Sequence, residues 1–265
     1  MDTTLLTREH VCPDRDEAAA ALLGTACLGG VVRPMWHWFQ LPVAVRRDER
    51  GPDGHPRRGV PSSPAPGLRR MFAGGRTVHR GPLRTGAPAH RRSTVVSTVD
   101  KRGRSGPLTF VTLRHEYLQE GEVMIAEEHD IVYRPMTGGS APSPAGADDP
   151  PDGALAAHFD VDPVVLFGFS ALTANAHRIH YDLPYARQEG YAERVVHGPL
   201  QVVLMAERLR AIGVDLVGTR FEYRLVRPVI GPQTLRISAR SADDSRAEAW
   251  VHDAAGARVA EGRVS

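Results

Sequence analysis

Apolar residues change their spacing several times along this chain, and each change marks an element. Residues 13 to 30, PDRDEAAAALLGTACLGG, read as a helix with acidic residues at its start and Gly29-Gly30 at its end. From Pro34 to Gly67 the periodicity is lost. WHWF at 36 to 39 precedes a proline- and glycine-rich stretch, GPDGHPRRGVPSSPAPG, too long for a turn and therefore expected to be a functional loop. A period near two then predicts strands around 76 to 80, 93 to 100, 107 to 117 and 122 to 133, with Gln119-Glu120-Gly121 as a hairpin connection.

Residues 135 to 156, PMTGGSAPSPAGADDPPDGALA, have linker composition and set the boundary between residues 1 to 134 and 157 to 265. Beyond it, Asp162-Pro163 predicts the start of a helix over 164 to 173, because aspartate accepts free amides and proline suits the first turn. A polar loop follows, ALTANAHRIHYDLPYA at 171 to 186, and then VVHGPLQVVLMAERLR at 195 to 210. Leu200, Val202, Val203, Leu204, Met205, Ala206 and Leu209 cover nearly every side of this last helix, which predicts that it is enclosed; Gly213 ends it. Strands are expected near 217 to 227, 232 to 241, 246 to 252 and 257 to 264, with turns at Gly231-Pro232, Asp243-Asp244 and Asp253 to Gly256. An enclosed helix followed by consecutive antiparallel strands implies an α+β fold in which the sheet curls around the helix. TVHRGPLRTG at 77 to 86 and YRLVRPVIG at 223 to 231 stand in matching positions of the two halves, which suggests duplication, although the first half lacks a clean copy of the VHGPL helix.

Composition narrows the classes. No run approaches the roughly 18 apolar residues of a spanning helix, and the start, MDTTLLTREHVCPDRDE, is too polar for a secretion signal, so a cytoplasmic protein that engages no membrane is expected. Cys12 and Cys27 match neither a metal nor a redox spacing. Lysine plus arginine number 33 against 31 acidic residues, and Lys101 is the sole lysine. That bias reads as a GC-rich genome ahead of a phosphate ligand, and without interleaved aromatics it predicts no nucleic-acid partner.

The chemistry concentrates in the polar loop. His180 is the leading candidate for proton transfer, because an imidazole both accepts and returns a proton near neutral pH. The N–H of Gly198, backed by the dipole of the helix that Pro199 helps to open, suits a carbonyl oxygen that gathers negative charge. Asn175 cannot take a proton but can orient a water or hydroxyl. Asp182, before Leu183-Pro184-Tyr185, reads as a helix cap ahead of a catalytic group. His177, His180 and Asp182 as metal ligands would need further donors, and no second cluster is evident, so no metal is expected.

At these residues the chain resembles the MaoC-like hydratases and dehydratases of the hot-dog superfamily. It is most similar to the branch with type 2 3-hydroxyacyl-thioester dehydratases and mesaconyl-C4-CoA or itaconyl-CoA hydratases. The resemblance runs through WHW at 36 to 38, GPDGHPRRG at 51 to 59, RRMFAGGR at 69 to 76, RSGPLTFVTLRHEY at 104 to 117, FSALTANAHRIHYDLPYA at 169 to 186 and VVHGPL at 195 to 200. It implies a double hot dog, two antiparallel sheets each wrapped around a central helix, with a degenerate first half and the catalytic loop in the second. It also implies reversible hydration of a 2-enoyl thioester, or dehydration of a 3-hydroxyacyl thioester, carried by CoA or an acyl-carrier protein. No cofactor is implied. His180 and Gly198 match the family's histidine and oxyanion glycine, while Asn175 stands where the broader family has an aspartate, which puts a two-residue acid-base pair in doubt. His177, Arg178, His197 and Pro199 are then expected to line the substrate, with Arg178 either binding a substrate carboxylate or holding the loop, and a homodimer is expected. A hot-dog thioesterase, which needs a carboxylate to activate water, and a non-catalytic acyl-binding subunit are the alternatives.

Overall fold

The computed structural model describes all residues except 1–4, 44, 58–66, 104–105, 136–146 and 243–245; side chains at 5, 7–9 and 103 are also outside the description. Most of the expected linker and the Asp243-Asp244 turn therefore lie outside the described residues.

The first half runs β1 (Leu5–His10), α1 (Pro13–Leu23), α2 (His37–Gln40), β2 (Leu68–His79), β3 (Pro88–Gly103), β4 (Gly106–Gln119) and β5 (Glu122–Pro135). The second runs β6 (Leu155–Val161), α3 (Pro163–Thr173), a 3-10 turn at Arg178–His180, α4 (Leu183–Gln188), α5 (Gly198–Ala211), β7 (Arg220–Leu225), β8 (Gln233–Ser241), β9 (Ala247–His252) and β10 (Arg258–Val264). The spatial order is β1-β3-β4-β5-β2-β7-β10-β9-β8-β6. Read from its outer edge inward, each half follows the same sequence: its first, third, fourth, fifth and second strand. The repeat suspected from the two Pro-apolar-Gly corners is thus present in the topology.

Two expectations change. The two separate sheets are one: β2 pairs antiparallel with β7, from Gly74 opposite Arg224 to Val78 opposite Arg220, and this ladder joins the halves into a ten-stranded sheet. The helices are also unequal. In the second half α5 packs against β8, β9 and β10, and Leu200 to Ala206 are all buried together with Leu209. Between α1 and β2 the corresponding segment of the first half forms the four-residue α2 and a 3-10 turn at Arg47–Glu49 among the described residues. Its Trp36, His37 and Phe39 are fully buried and fill the space that a longer helix would take.

Local chemistry explains the boundaries. α1 stops at Leu23, short of the expected Gly30, because Gly24 turns left-handed (φ 65°) and sends its N–H back to the carbonyl of Ala20. Asp162 Oδ1 accepts from Val165 N at 2.8 Å and starts α3; Asp182 Oδ1 accepts from Tyr185 N at 3.1 Å and starts α4. The short edge strands β1 and β6 escaped the pattern reading, and β6 begins at Leu155, inside the expected linker. β6 is almost wholly exposed, so no alternation of apolar residues marks it. Among the described residues no helix is long and apolar enough to cross a membrane.

Candidate active site

The site is assembled where α3 ends. Ala174 adopts a left-handed backbone (φ 52°) that throws the chain out of the helix, and Asn175 N returns a hydrogen bond to Ser170 O at 2.9 Å. Asn175 Oδ1 accepts from His177 N at 3.1 Å, closing a turn that leaves the amide NH₂ as the donor end of the side chain. The 3-10 turn then carries His180 inward, where it is buried. Its Nδ1–H donates to Val195 O at 2.7 Å, which fixes the tautomer and leaves Nε2 as the proton acceptor. Burial, reinforced by His197 and His177, holds the His180 pKa well below the ordinary imidazole range.

The bond to Val195 ties the loop to the start of α5. His197, the residue before that helix, lies face to face with His180, ring centroids 3.6 Å apart, and is itself fully buried. Its Nε2 meets Ser170 Oγ at 2.9 Å, and burial pushes its pKa down to about 3. Gly198 opens α5 at a crowded point: a Cβ there would lie 2.1 Å from Leu225 Cδ1 and 3.3 Å from Phe72 Cδ1. Of the expected site residues, the structure therefore brings His177, His180, His197 and Gly198 together, with Asn175 at the loop's entrance and Pro199, partly buried, in the first turn of α5.

Arg178 is engaged in holding the loop. Its Nε and Nη2 donate to Asp182 Oδ2 at 2.9 and 2.7 Å, its Nη1 donates to Pro52 O at 2.9 Å, and its guanidinium lies 4.3 Å from the Tyr185 ring centroid. Asp182, besides capping α4, is the anion of this pair.

The first half contributes residues whose roles the sequence did not disclose. The GPDGH segment docks directly on the histidine loop: Arg178 N donates to Asp53 O at 2.9 Å, and the His55 and His177 ring centroids are 4.2 Å apart. Gly54 makes this possible, for a Cβ would sit 1.8 Å from Ala176 O, and its φ of 94° is left-handed as well. His55 Nδ1 and Asp53 Oδ2 are 3.0 Å apart. Although burial opposes ionisation, this bond and the charge of His55 hold the Asp53 pKa down to about 2, while burial draws His55 down to about 4.

Behind Phe72 lies a polar core. Glu127 Oε2 accepts from Trp38 Nε1 at 2.9 Å and lies 2.9 Å from His37 Nε2, while Oε1 accepts from Tyr117 Oη at 3.1 Å. Burial works against its charge, yet His129 and His37 hold the carboxyl well below its ordinary range. Two sets of side chains, Asp53 with His55 and His177, and His115 with Glu127 and His129, have donor atoms within 4.8 Å of one another. In the first set His55 Nδ1 lies 3.0 Å from Asp53 Oδ2, and in the second His129 Nε2 lies 3.3 Å from Glu127 Oε2. The three residues weighed as ligands from sequence do not form such a set, because Asp182 turns away to α4 and Arg178. An apolar cavity of about 400 Å³, lined by Leu28, Val32, Leu83, Ala206 and Val214 among others, lies toward the far end of α5 and touches no residue of the histidine loop.

The family model of the hydroxyacyl-thioester dehydratase type 2 proteins matches residues 35–231. The chain is 42% identical over 243 residues to the mesaconyl-C(4)-CoA hydratase of Chloroflexus aurantiacus, covering 89% of this chain and 86% of that protein. Its fold superposes on a MaoC-like dehydratase of Phytophthora capsici with a TM-score of 0.73 at 15% identity, over 99% of this chain and 94% of that one. A Mycobacterium tuberculosis protein described as having a double hot-dog fold superposes with a TM-score of 0.61 at 13% identity, over 100% and 96% of the two chains. The chain belongs to the hydroxyacyl-thioester dehydratase type 2 family and is a hydratase/dehydratase of acyl thioesters.

Proposed function

We propose that the chain catalyses reversible addition of water across a 2-enoyl-CoA, with the short dicarboxylic type exemplified by mesaconyl-C4-CoA as the preferred acyl group. The observation that carries the mechanism is the Nδ1–H bond from buried His180 to Val195 O, which presents a neutral Nε2 beside the start of α5. In dehydration His180 takes the proton alpha to the thioester carbonyl, and the Gly198 N–H stabilises the enolate oxygen, a contribution of roughly 3 kcal/mol to the barrier. The 3-hydroxyl then leaves as water with a proton returned by His180. Asn175, its carbonyl committed to the loop, orients that hydroxyl through its NH₂ group. His177, His197 and Pro199 shape the pocket around the thioester, and Arg178 keeps the loop in position.

In this reading the molecule is a double hot dog, with residues 1–134 as the degenerate unit, 135–156 as the linker and 157–265 as the catalytic unit. CoA is the expected carrier, with acyl-carrier protein as the alternative. The exposed Val164 and Phe167 on α3 make a homodimer the expected assembly, to be checked by light scattering. A thioesterase is disfavoured because the carboxylates around the loop are engaged: Asp53 by His55, Asp182 by Arg178 and Glu189 by Arg69. The deciding experiment is His180→Ala assayed for loss of enoyl-thioester absorbance on hydration. Turnover should fall by about 10²- to 10⁴-fold with the circular dichroism unchanged. Near-wild-type turnover would remove His180 from the mechanism, and release of free thiol by the wild type would favour the thioesterase.

A further inference from the structure

Among the described residues Arg70 has no anion paired with it. Among the described residues its guanidinium makes no hydrogen bond and no ion pair, whereas its neighbour Arg69 pairs with Glu189 at 3.3 Å. It lies on β2 two residues before Phe72, so the two side chains share one face of the strand at a spacing of about 7 Å. That face leads to the reaction centre, for the Phe72 ring lies against Gly198 and its centroid is 5.1 Å from that of His129. Across the ladder Arg70 stands opposite Tyr133, a buried residue whose hydroxyl also makes no hydrogen bond among the described residues. Two donors thus stand as cross-strand neighbours with no acceptor for either among the described residues.

Among the described residues the surroundings do not supply one. Burial lowers the Arg70 pKa, and the charges of Tyr133 and Asp53 work in the opposite direction. Asp53, the carboxylate whose field reaches Arg70, spends its oxygens on His55 Nδ1 and His55 N, both at 3.0 Å. Two other titratable groups in reach, His55 and His115, have their pKa values lowered mainly by burial and in part by Arg70. A partly buried guanidinium facing a phenol and apolar strand residues such as Ile131 fits a planar carboxylate that arrives with a ligand. A CoA phosphate would fit a wider, more solvated cluster of cations.

We infer that Arg70, assisted by the Tyr133 hydroxyl, binds a free carboxylate on the acyl chain and so sets the preference for dicarboxylic over monocarboxylic acyl thioesters. The inference rests on the hydratase reading above, and a binding readout separates the two. In turnover, Arg70→Met should lower the ratio of kcat/KM for mesaconyl-C4-CoA to that for crotonyl-CoA by about 100-fold. Arg70→Lys, which keeps a charge but loses the fork, should recover part of that ratio, and Tyr133→Phe should lower it by about fivefold. In calorimetry, which needs no turnover, the wild type should bind succinyl-CoA more tightly than butyryl-CoA, and Arg70→Met should abolish the difference. An unchanged ratio in every variant, an equal fall for both acyl types as expected of a CoA-phosphate contact, or no discrimination by the wild type would each overturn the assignment. If Arg70→Met fails to fold, the near-isosteric Tyr133→Phe decides in the same way.

Discussion

Mild acid should unfold this protein well above the pH at which carboxylates titrate. His79, His115, His180 and His197 are buried, and burial is the largest cause of depression in each, to about 3 for His79 and His197 and well below the ordinary value for His115 and His180. The unfolded chain takes up protons on these rings as pH falls through about 6.5, while the folded chain keeps them neutral. The unfolded state therefore binds more protons, and stability is complete above about pH 6.5 and falls as pH drops toward the folded pKa values. Between pH 7.5 and 5.5 each ring loses about 1.4 kcal/mol, so four together lose about 5 to 6 kcal/mol. Against a total of about 5–15 kcal/mol, that brings the chain near its unfolding limit. Glu127, with its carboxyl held low, adds its own loss only at still lower pH. Urea unfolding followed by circular dichroism at several pH values measures the slope, and His79→Phe should remove about a quarter of it. A stability that is flat from pH 7.5 to 5.5 would refute the claim that these rings are held neutral. The same argument applies to catalysis below the point of unfolding: a neutral His180 gives a flat kcat/KM from pH 8 to 6, whereas an ordinary imidazole would cost about fourfold at pH 6.

Gly198→Ala should lower the rate of hydration and destabilise by about 1–3 kcal/mol, because its Cβ meets Leu225 Cδ1 at 2.1 Å; adding Leu225→Ala should restore part of both, and absence of rescue would discount the crowding at the helix start. Gly54→Ala should slow turnover at least about tenfold by driving the GPDGH segment off Ala176 O, as steady-state kinetics would register, and a wild-type rate would show that this docking does not position the histidine loop. Glu127→Leu should cost roughly 3–5 kcal/mol in urea unfolding, since it strands His37, Trp38 and Tyr117, with Glu127→Gln milder because its amide oxygen still accepts.

How much of this was legible in the sequence depended on range. Asp162, Asp182 and Gly213 act on the backbone within a few positions, so their caps and stops could be read directly. The enclosure of α5 could be read from its all-round apolar surface, and the nearness of His180 to the start of that helix from a compact motif. β6 could not be found, because an exposed edge strand carries no apolar alternation. The helix expected over 13 to 30 ends early, at Leu23, because one left-handed glycine outweighs the helix-forming residues after it.

The amino-acid order by itself determined the repeated strand pattern, the enclosed helix and the polar histidine loop ahead of it, since propensity, capping and periodicity act locally. Tertiary structure alone decided that β2 and β7 pair to merge two sheets into one, that the Asp53-His55 segment seats on the histidine loop, and that Arg70 stands opposite Tyr133 without an ion-pair partner among the described residues. Each of those depends on register and close approach between residues far apart in the chain, and a shift of one position in a strand would have turned Arg70 and Phe72 to the opposite face.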